Sequence, residues 1–383
     1  MRFEFATASR IIFGPGACAE IAPAARAFGR RALVVGSLER SSTLREQLRA
    51  AGVESFPYSF AGEPSVASVL GGVRAARECA CDLVIGFGGG SALDASKTIA
   101  ALLTNPGDIY NYLEVVGKGK PLEQASAPCI AIPTTAGTGA EVTRNAVIAV
   151  PEHKVKVSLR SAFLLPCLAV IDPELTYSLP PAVTAATGLD ALTQLIEPFV
   201  SNAANPVTDA VCREGMRRAA RSLSRAYQDG SDQEARQDMC LVSLFSGMAL
   251  ANARLGAVHG FAGVIGGMFP APHGAVCARL LPFVMEANIG ALKARQPGAP
   301  TLDHYAEIAK ILTGNAQAKV EDGIEWVQHL THTLYILPLS EYGLSTEAYP
   351  AVIAGAKKSS SMKGNPLALT EDELVEILER ACK

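Results

Sequence analysis

Three times within the first 135 residues a short apolar run closes on glycine or proline. Ala32-Leu33-Val34-Val35 ends at Gly36-Ser37, Leu83-Val84-Ile85 at Gly86, and Cys129-Ile130-Ala131-Ile132 at Pro133. Helix-like segments, Ser42 to Ala51 and Ala92 to Leu103, follow the first two. A strand that is apolar at every position, not just alternate ones, must be covered on both faces. Such runs separated by amphipathic helices predict βαβ units and a parallel sheet, with ligands at the carboxyl ends of its strands.

The second run leads into Gly86-Phe87-Gly88-Gly89-Gly90-Ser91-Ala92-Leu93-Asp94-Ala95-Ser96-Lys97. Three consecutive glycines carry no Cβ to block close approach to the backbone. The helix that opens there presents N–H groups and the positive end of its dipole, a geometry suited to phosphate or pyrophosphate. Ser91 can add a hydroxyl, and Lys97 follows within two turns. A tight strand–helix turn with no ligand uses glycine in the same way. The spacing also departs from G-x-G-x-x-G, so the simple dinucleotide fingerprint does not apply. After the third run comes Pro133-Thr134-Thr135-Ala136-Gly137-Thr138-Gly139-Ala140-Glu141-Val142-Thr143. Its short hydroxyls suit a cofactor-lining loop, and equally an ordinary polar turn.

Beyond Asp172-Pro173-Glu174-Leu175 and Pro180-Pro181 the texture changes to Ala, Leu, Met and Arg with few β-branched runs. Helical periodicity marks Thr208 to Ala226, Asp303 to Leu312, Val320 to Leu334 and Thr370 to Ala381. Thr370 with Glu373 forms a capping box at the start of the last. The expected organisation is an α/β domain over residues 1–180 and an all-helical domain over 181–383. A chain of 383 residues exceeds what one core usually supports.

Composition narrows the partners. Thirty-four Lys and Arg against 37 Asp and Glu give a net charge of −3, and no long basic block occurs. Nucleic acid and anionic membrane are thereby excluded as main partners. The N-terminal MRFEFATASRIIFGPG lacks the apolar core of a signal peptide, and no run reaches about 18 uninterrupted apolar residues. Nine scattered cysteines, an odd number with only Cys79-x-Cys81 close together, suit neither a disulfide framework nor a zinc knuckle. The expectation is a cytoplasmic protein with reduced, mostly buried thiols.

In the helical half Asp190 and Gln194 lie four apart and share a helix face. His259, in Gly256-Ala257-Val258-His259-Gly260, and His273, in Ala271-Pro272-His273-Gly274, sit among small apolar residues. One carboxylate and two imidazoles suit Zn²⁺ or Fe²⁺ with open positions for a substrate. Buried, hydrogen-bonded core histidines would produce the same pattern. His153, His304, His329 and His332 read as surface or helix residues, and Trp326 as packing.

Taken together these residues resemble the iron-containing (group III) alcohol dehydrogenases, relatives of glycerol dehydrogenase and dehydroquinate synthase. The likeness runs from Phe13-Gly14-Pro15-Gly16 through Gly88 to Lys97, Pro133 to Gly139, Asp172 to Leu175, Gly188-Leu189-Asp190-Ala191-Leu192, His259 and Pro272-His273-Gly274 to Gly364-Asn365-Pro366. The resemblance implies a dehydroquinate synthase-like architecture: a Rossmann-like α/β domain with a parallel sheet, then an all-α domain, with the cofactor between them. It implies NAD or NADP held by Ser37, Gly88, Gly89, Gly90, Ser91, Asp94, Thr134, Thr135, Thr138, Thr143 and Lys156. It implies a divalent metal, Fe²⁺ or Zn²⁺, on Asp190, Gln194, His259 and His273, with Asp190, His259 and His273 serving catalysis. The implied reaction interconverts an alcohol with an aldehyde or ketone, and the implied assembly is a homodimer.

Three residues depart from the family pattern. Gln194 replaces a histidine ligand, and an amide oxygen ligates more weakly than imidazole. Gly263, four after His259, stands where many members carry a histidine near the substrate. Ser37 replaces an aspartate that holds the adenine ribose and repels a 2′-phosphate, which admits NADP(H) with Arg40 as a neighbour for the extra phosphate. These changes keep a metal-independent reductase of the maleylacetate reductase type as the alternative. A lyase or cyclase like dehydroquinate synthase would need a lysine-rich anion pocket, which is not evident. A cofactor-binding sensor is the non-enzyme reading.

Overall fold

The computed structural model describes residues 2–153 and 155–383. The chain forms two compact units. One comprises Ala6–Thr135 and Gly139–Tyr177; the other comprises Ser178–Lys383, Ala136–Thr138 and residues up to Phe5.

The first unit is built on a six-stranded sheet of β1 (Ile11–Phe13), β2 (Arg31–Gly36), β3 (Glu54–Ser59), β4 (Leu83–Gly88), β5 (Cys129–Pro133) and β8 (Leu168–Ile171). All its pairings are parallel, in the order β1-β8-β5-β4-β2-β3, with Val34 opposite Ile85 and Phe87 opposite Ile132. Its helices are α1 (Ile21–Phe28), α2 (Ser42–Ala50), α3 (Val66–Glu78) and α4 (Gly90–Thr104). The reason for the continuous apolar runs is visible on β2. Leu33 and Val35 enter the core cluster shared with α3 and α4, whereas Ala32 and Val34 enter the opposite one with α1 and α2. Burying each large aliphatic side chain in this way contributes about 1.5–3 kcal/mol. A separate antiparallel hairpin, β6 (Asn145–Val150) with β7 (Val155–Arg160), lies outside the main sheet.

The chain runs outward from β2 to β3, then returns to place β4 on the other side of β2. That reversal opens a crevice beyond the carboxyl ends of β2 and β4. Gly36 ends β2 at φ +151, and a Cβ there would lie 2.0 Å from the Phe87 carbonyl oxygen of β4. Only glycine fits.

The second unit contains α5 (Pro181–Val200), α6 (Pro206–Gln228), α7 (Gln233–Asn252), α8 (Ala257–Met268), α9 (His273–Arg295), α10 (Pro300–Thr313), α11 (Val320–Thr333), α12 (Tyr349–Lys358) and α13 (Glu371–Ala381). Helix α5 starts at the second proline of Pro180-Pro181, where proline's fixed φ suits the first turn. From Gly188 to Val200 every α5 residue is buried, because α6, α7 and α9 pack around it. Thr370 and Glu373 form the expected reciprocal cap on α13. By length and composition α9 could cross a membrane, but 72% of its apolar window is buried, as in a core helix.

Candidate active site

The crevice beyond β2 and β4 holds a cavity of about 220 Å³ whose lining includes Ser37, Arg40, Gly88, Gly89, Ser91 and Thr134. Gly89 precedes α4, which begins at Gly90, and no side chain caps it with a hydrogen bond. A Cβ on Gly89 would approach Thr135 Oγ1 to 3.3 Å. The cradle is therefore backbone, shaped by the absence of side chains. Ser37 accepts a hydrogen bond from the Arg40 N–H at 3.4 Å, and the Arg40 guanidinium donates to the Leu175 carbonyl at 3.0 Å.

Other residues expected around a cofactor have different places. Lys97 is fully buried, and its ammonium donates to the Ala140 carbonyl (2.9 Å), Thr143 Oγ1 (2.8 Å) and the Asn145 carbonyl (2.5 Å) while pairing with Asp94 Oδ1 (2.9 Å). Asp94 Oδ2 accepts the Val147 N–H at 2.9 Å. Asp94 and Thr143, both expected at the cofactor, also take part in a node around the buried Lys97 ammonium. They and Lys97 tie α4 to the segment that leads into β6. Lys156 pairs with Glu63 at 3.0 Å. Thr138 lies on the Ala136–Thr138 stretch, which belongs with the helical unit, and there Ser246 donates its hydroxyl to the Gly137 carbonyl at 3.2 Å.

In the helical unit α5, α8 and α9 bring a second set of groups together. Asp190 Oδ1 lies 3.4 Å from His259 Nε2 and 3.8 Å from His273 Nε2. Cys277 Sγ lies 3.8 Å from His259 Nε2 and 3.6 Å from His273 Nε2. Donor atoms of all four residues fall within 4.8 Å of one another. Gly274 makes the approach possible, because a Cβ there would stand 2.3 Å from the Ala186 carbonyl oxygen and 3.3 Å from Asp190 Cβ. Gln194 donates its amide N–H to Asp190 Oδ2 at 3.0 Å. Asp190 Oδ1 and Gln194 Oε1 are buried yet have no hydrogen-bond partner.

These observations fit a divalent ion. A tetrahedral Zn²⁺ with bonds of about 2.0–2.3 Å separates its N and O donors by about 3.4 Å, and N from S by about 3.6 Å. Asp190 Oδ1, buried without a partner among these donors, is a cost that a cation would remove. The electrostatics agree. Burial opposes charge on His259, yet Cys277, Glu197 and Asp190 outweigh it and hold its pKa well above the usual imidazole range. His273 is pushed up to about 9, chiefly by Cys277, with burial opposing and Asp190 adding. Burial would raise the Asp190 carboxyl, but the neighbouring His273 and His259 bring it below its ordinary value. The cluster attracts positive charge.

Sequence reading missed two members of this neighbourhood. Glu197 is buried, and its Oε2 accepts a 2.6 Å hydrogen bond from His259 Nδ1 while Oε1 accepts the Val258 N–H at 2.7 Å. This pair fixes the ring so that Nε2 faces the cluster. Glu197 stands seven residues after Asp190 and Cys277 four after His273, both helical spacings that place them on the relevant faces.

The profile of the iron-containing alcohol dehydrogenases matches residues 8–173, and that of the Fe-containing alcohol dehydrogenase family, C-terminal, matches residues 184–382. The chain belongs to the iron-containing alcohol dehydrogenase family and is an oxidoreductase of the alcohol dehydrogenase type. Alcohol dehydrogenase 4 of Saccharomyces cerevisiae is 40% identical over 319 residues, covering 83% of this chain and 80% of its own. The crystal structure of a 1,3-propanediol oxidoreductase superposes with a TM-score of 0.91 over the full length of both chains, at 33% identity. The sulfoacetaldehyde reductase of Bifidobacterium kashiwanohense, solved in complex with NAD⁺, has a TM-score of 0.87 at 27% identity, covering 100% of this chain and 99% of its own.

Proposed function

We propose that the chain interconverts a small alcohol and its aldehyde or ketone, using NAD or NADP and a divalent ion, Fe²⁺ or Zn²⁺. The observation that carries the reading is the convergence of Asp190, His259 and His273 around a buried carboxylate oxygen with no hydrogen-bond donor. It favours a metal-assisted reaction over the metal-independent alternative.

In this reading Asp190, His259 and His273 hold the ion. The ion supplies Lewis acidity, which lowers the pKa of an alcohol oxygen or polarises a carbonyl. The nicotinamide supplies or accepts the hydride. Glu197 holds His259 in the tautomer that leaves Nε2 available, and Gln194 steadies Asp190 through Oδ2. Gly88, Gly89, Gly90 and Ser91 receive the pyrophosphate, where uncapped N–H groups and the helix dipole stabilise anionic charge. Thr134 and Thr135 flank that turn. Ser37 in place of a carboxylate removes one source of repulsion toward a 2′-phosphate, and Arg40 in the same lining supports NADP as an acceptable cofactor. Thr143 Oγ1 accepts a hydrogen bond from Lys97. Gly263 provides no imidazole, and an added Cβ there would meet nothing within 4 Å, which leaves room for substrate. The assembly we propose is a cytoplasmic homodimer.

The deciding experiment strips the protein of metal and follows NAD(P)H oxidation on short aldehydes before and after Fe²⁺ or Zn²⁺ is restored. Activity should vanish and return. The His259→Ala/His273→Ala double variant should lose about 10³-fold or more in kcat/KM, the several kcal/mol expected of lost Lewis-acid stabilisation. Metal-free protein with unchanged activity would establish the metal-independent reductase instead.

A further inference from the structure

Gln194 occupies the position where the family resemblance implies a fourth ligand, yet its amide N–H is turned onto Asp190 Oδ2. Cys277 lies one turn after His273 on α9, so both side chains leave the helix on the same face. Its sulfur is buried and lies within 3.8 Å of both imidazole Nε2 atoms. We infer that Cys277 Sγ is the fourth protein donor of the metal site and that Gln194 is a positioning residue acting through Asp190. This inference rests on the metal-assisted reading above.

The chemistry of the two candidates separates them. The Sγ distances to His259 and His273 match those between N and S donors sharing one ion, about 3.6 Å. The sulfur lies in range of both ring nitrogens, and its donor atom falls with those of Asp190, His259 and His273 within 4.8 Å. Gln194 instead presents a donor to the carboxylate, which an ion cannot replace. It leaves Asp190 with one oxygen hydrogen-bonded and the other open. On coordination the thiol loses its proton to solvent and the thiolate pair binds the cation, with no change in oxidation state. A sulfur donor in place of imidazole shifts preference toward thiophilic ions, Zn²⁺, Fe²⁺ and Co²⁺, and away from Mg²⁺ and Mn²⁺.

Two measurements on the full-length protein test this. In the first, metal-free wild-type protein is loaded with Co²⁺, and bound cobalt and the near-ultraviolet spectrum are recorded together. One cobalt per chain with a thiolate-to-cobalt charge-transfer band is expected. The band should be lost in Cys277→Ser and retained in Gln194→Ala. Stoichiometric cobalt without the band, or a band that survives in Cys277→Ser, overturns the assignment while leaving the metal reading intact. Wild-type protein that binds no cobalt overturns both. The second measurement needs no variant and so is independent of folding. X-ray absorption of the Zn²⁺-loaded wild type should show one sulfur at about 2.3 Å beside nitrogen and oxygen at about 2.0–2.1 Å. A shell of nitrogen and oxygen alone would refute a cysteine ligand.

Discussion

The two ligand regions are made of opposite materials. In the sheet unit the turn at Gly88, Gly89 and Ser91 offers backbone, and two charged groups of the helix that follows are spent internally: Lys97 has four partners and Asp94 uses both oxygens. In the helical unit the site is all side chain, and it is left incomplete, with Asp190 Oδ1 and Gln194 Oε1 buried and unpartnered. A backbone cradle can receive a large anion by shape and dipole alone. A cluster of side-chain donors that do not satisfy one another is matched to a small cation, and an ion there would complete the open Asp190 oxygen. Between these two clusters, the satisfied groups around Lys97 build the fold and the open oxygen of Asp190 faces the candidate metal position.

The largest effect should come from breaking the internally satisfied node. Lys97→Met would leave Asp94 without its buried ammonium and deprive the Ala140 and Asn145 carbonyls of a donor. Removing one partner of a buried pair costs roughly 3–5 kcal/mol. Urea unfolding should show that loss, with metal content of the surviving folded protein unchanged. A variant of normal stability that binds cofactor poorly would instead place Lys97 in the cradle.

Glu141 is a carboxylate that sharpens the contrast, because it lies in the sheet unit yet, like Thr7, Ser126 and Asn145 there, has a buried oxygen with no partner. Burial raises its pKa to about 7, against smaller lowering effects from its own backbone N–H and from Lys97. The folded state therefore binds this proton more tightly than the unfolded chain, whose carboxyl titrates near 4.5. Below pH 4.5 the two states are equally protonated and the group costs nothing. Between pH 4.5 and 7 stability declines, and above pH 7 the full cost, on the order of 3 kcal/mol, is present. Glu141→Gln should abolish that slope and be the more stable protein at pH 8, with little difference at pH 4. If wild type and variant show parallel stability profiles from pH 4 to pH 8, Glu141 is ionised without penalty.

The legibility of these regions in the sequence follows the same division. The glycine turn, the strands Arg31–Gly36 and Leu83–Gly88 and the cap on α13 are local, so their residues are contiguous and readable. The hairpin Asn145–Val150 with Val155–Arg160 was missed, although burial of Ala146, Ile148 and Val150 follows a period of two. Asp190, His259 and His273 could be picked out as chemistry, but their meeting depends on how α5, α8 and α9 pack. Cys277 and Glu197 become visible only once that packing is known. Asp94 and Thr143 lie close to their motifs in sequence, but the node they form with Lys97 joins segments 46 to 53 residues apart and is visible only in the fold.

The smallest effect is expected from filling the cradle. Gly89 is extended, at φ −73 and ψ −179, so valine meets no backbone strain there. Its Cβ would stand 3.3 Å from Thr135 Oγ1, at the mouth of α4, and its methyls would occupy space the backbone leaves for a ligand. Gly89→Val should weaken NAD(P)H binding by about tenfold or more, a loss of about 1.4 kcal/mol. Cofactor fluorescence titration would measure it, while thermal stability and metal stoichiometry stay at wild-type values. Because the two regions lie in separate units with separate means of recognition, a Gly89→Val protein that lost its metal but kept its cofactor affinity would invert the assignment of anion to backbone and cation to side chain.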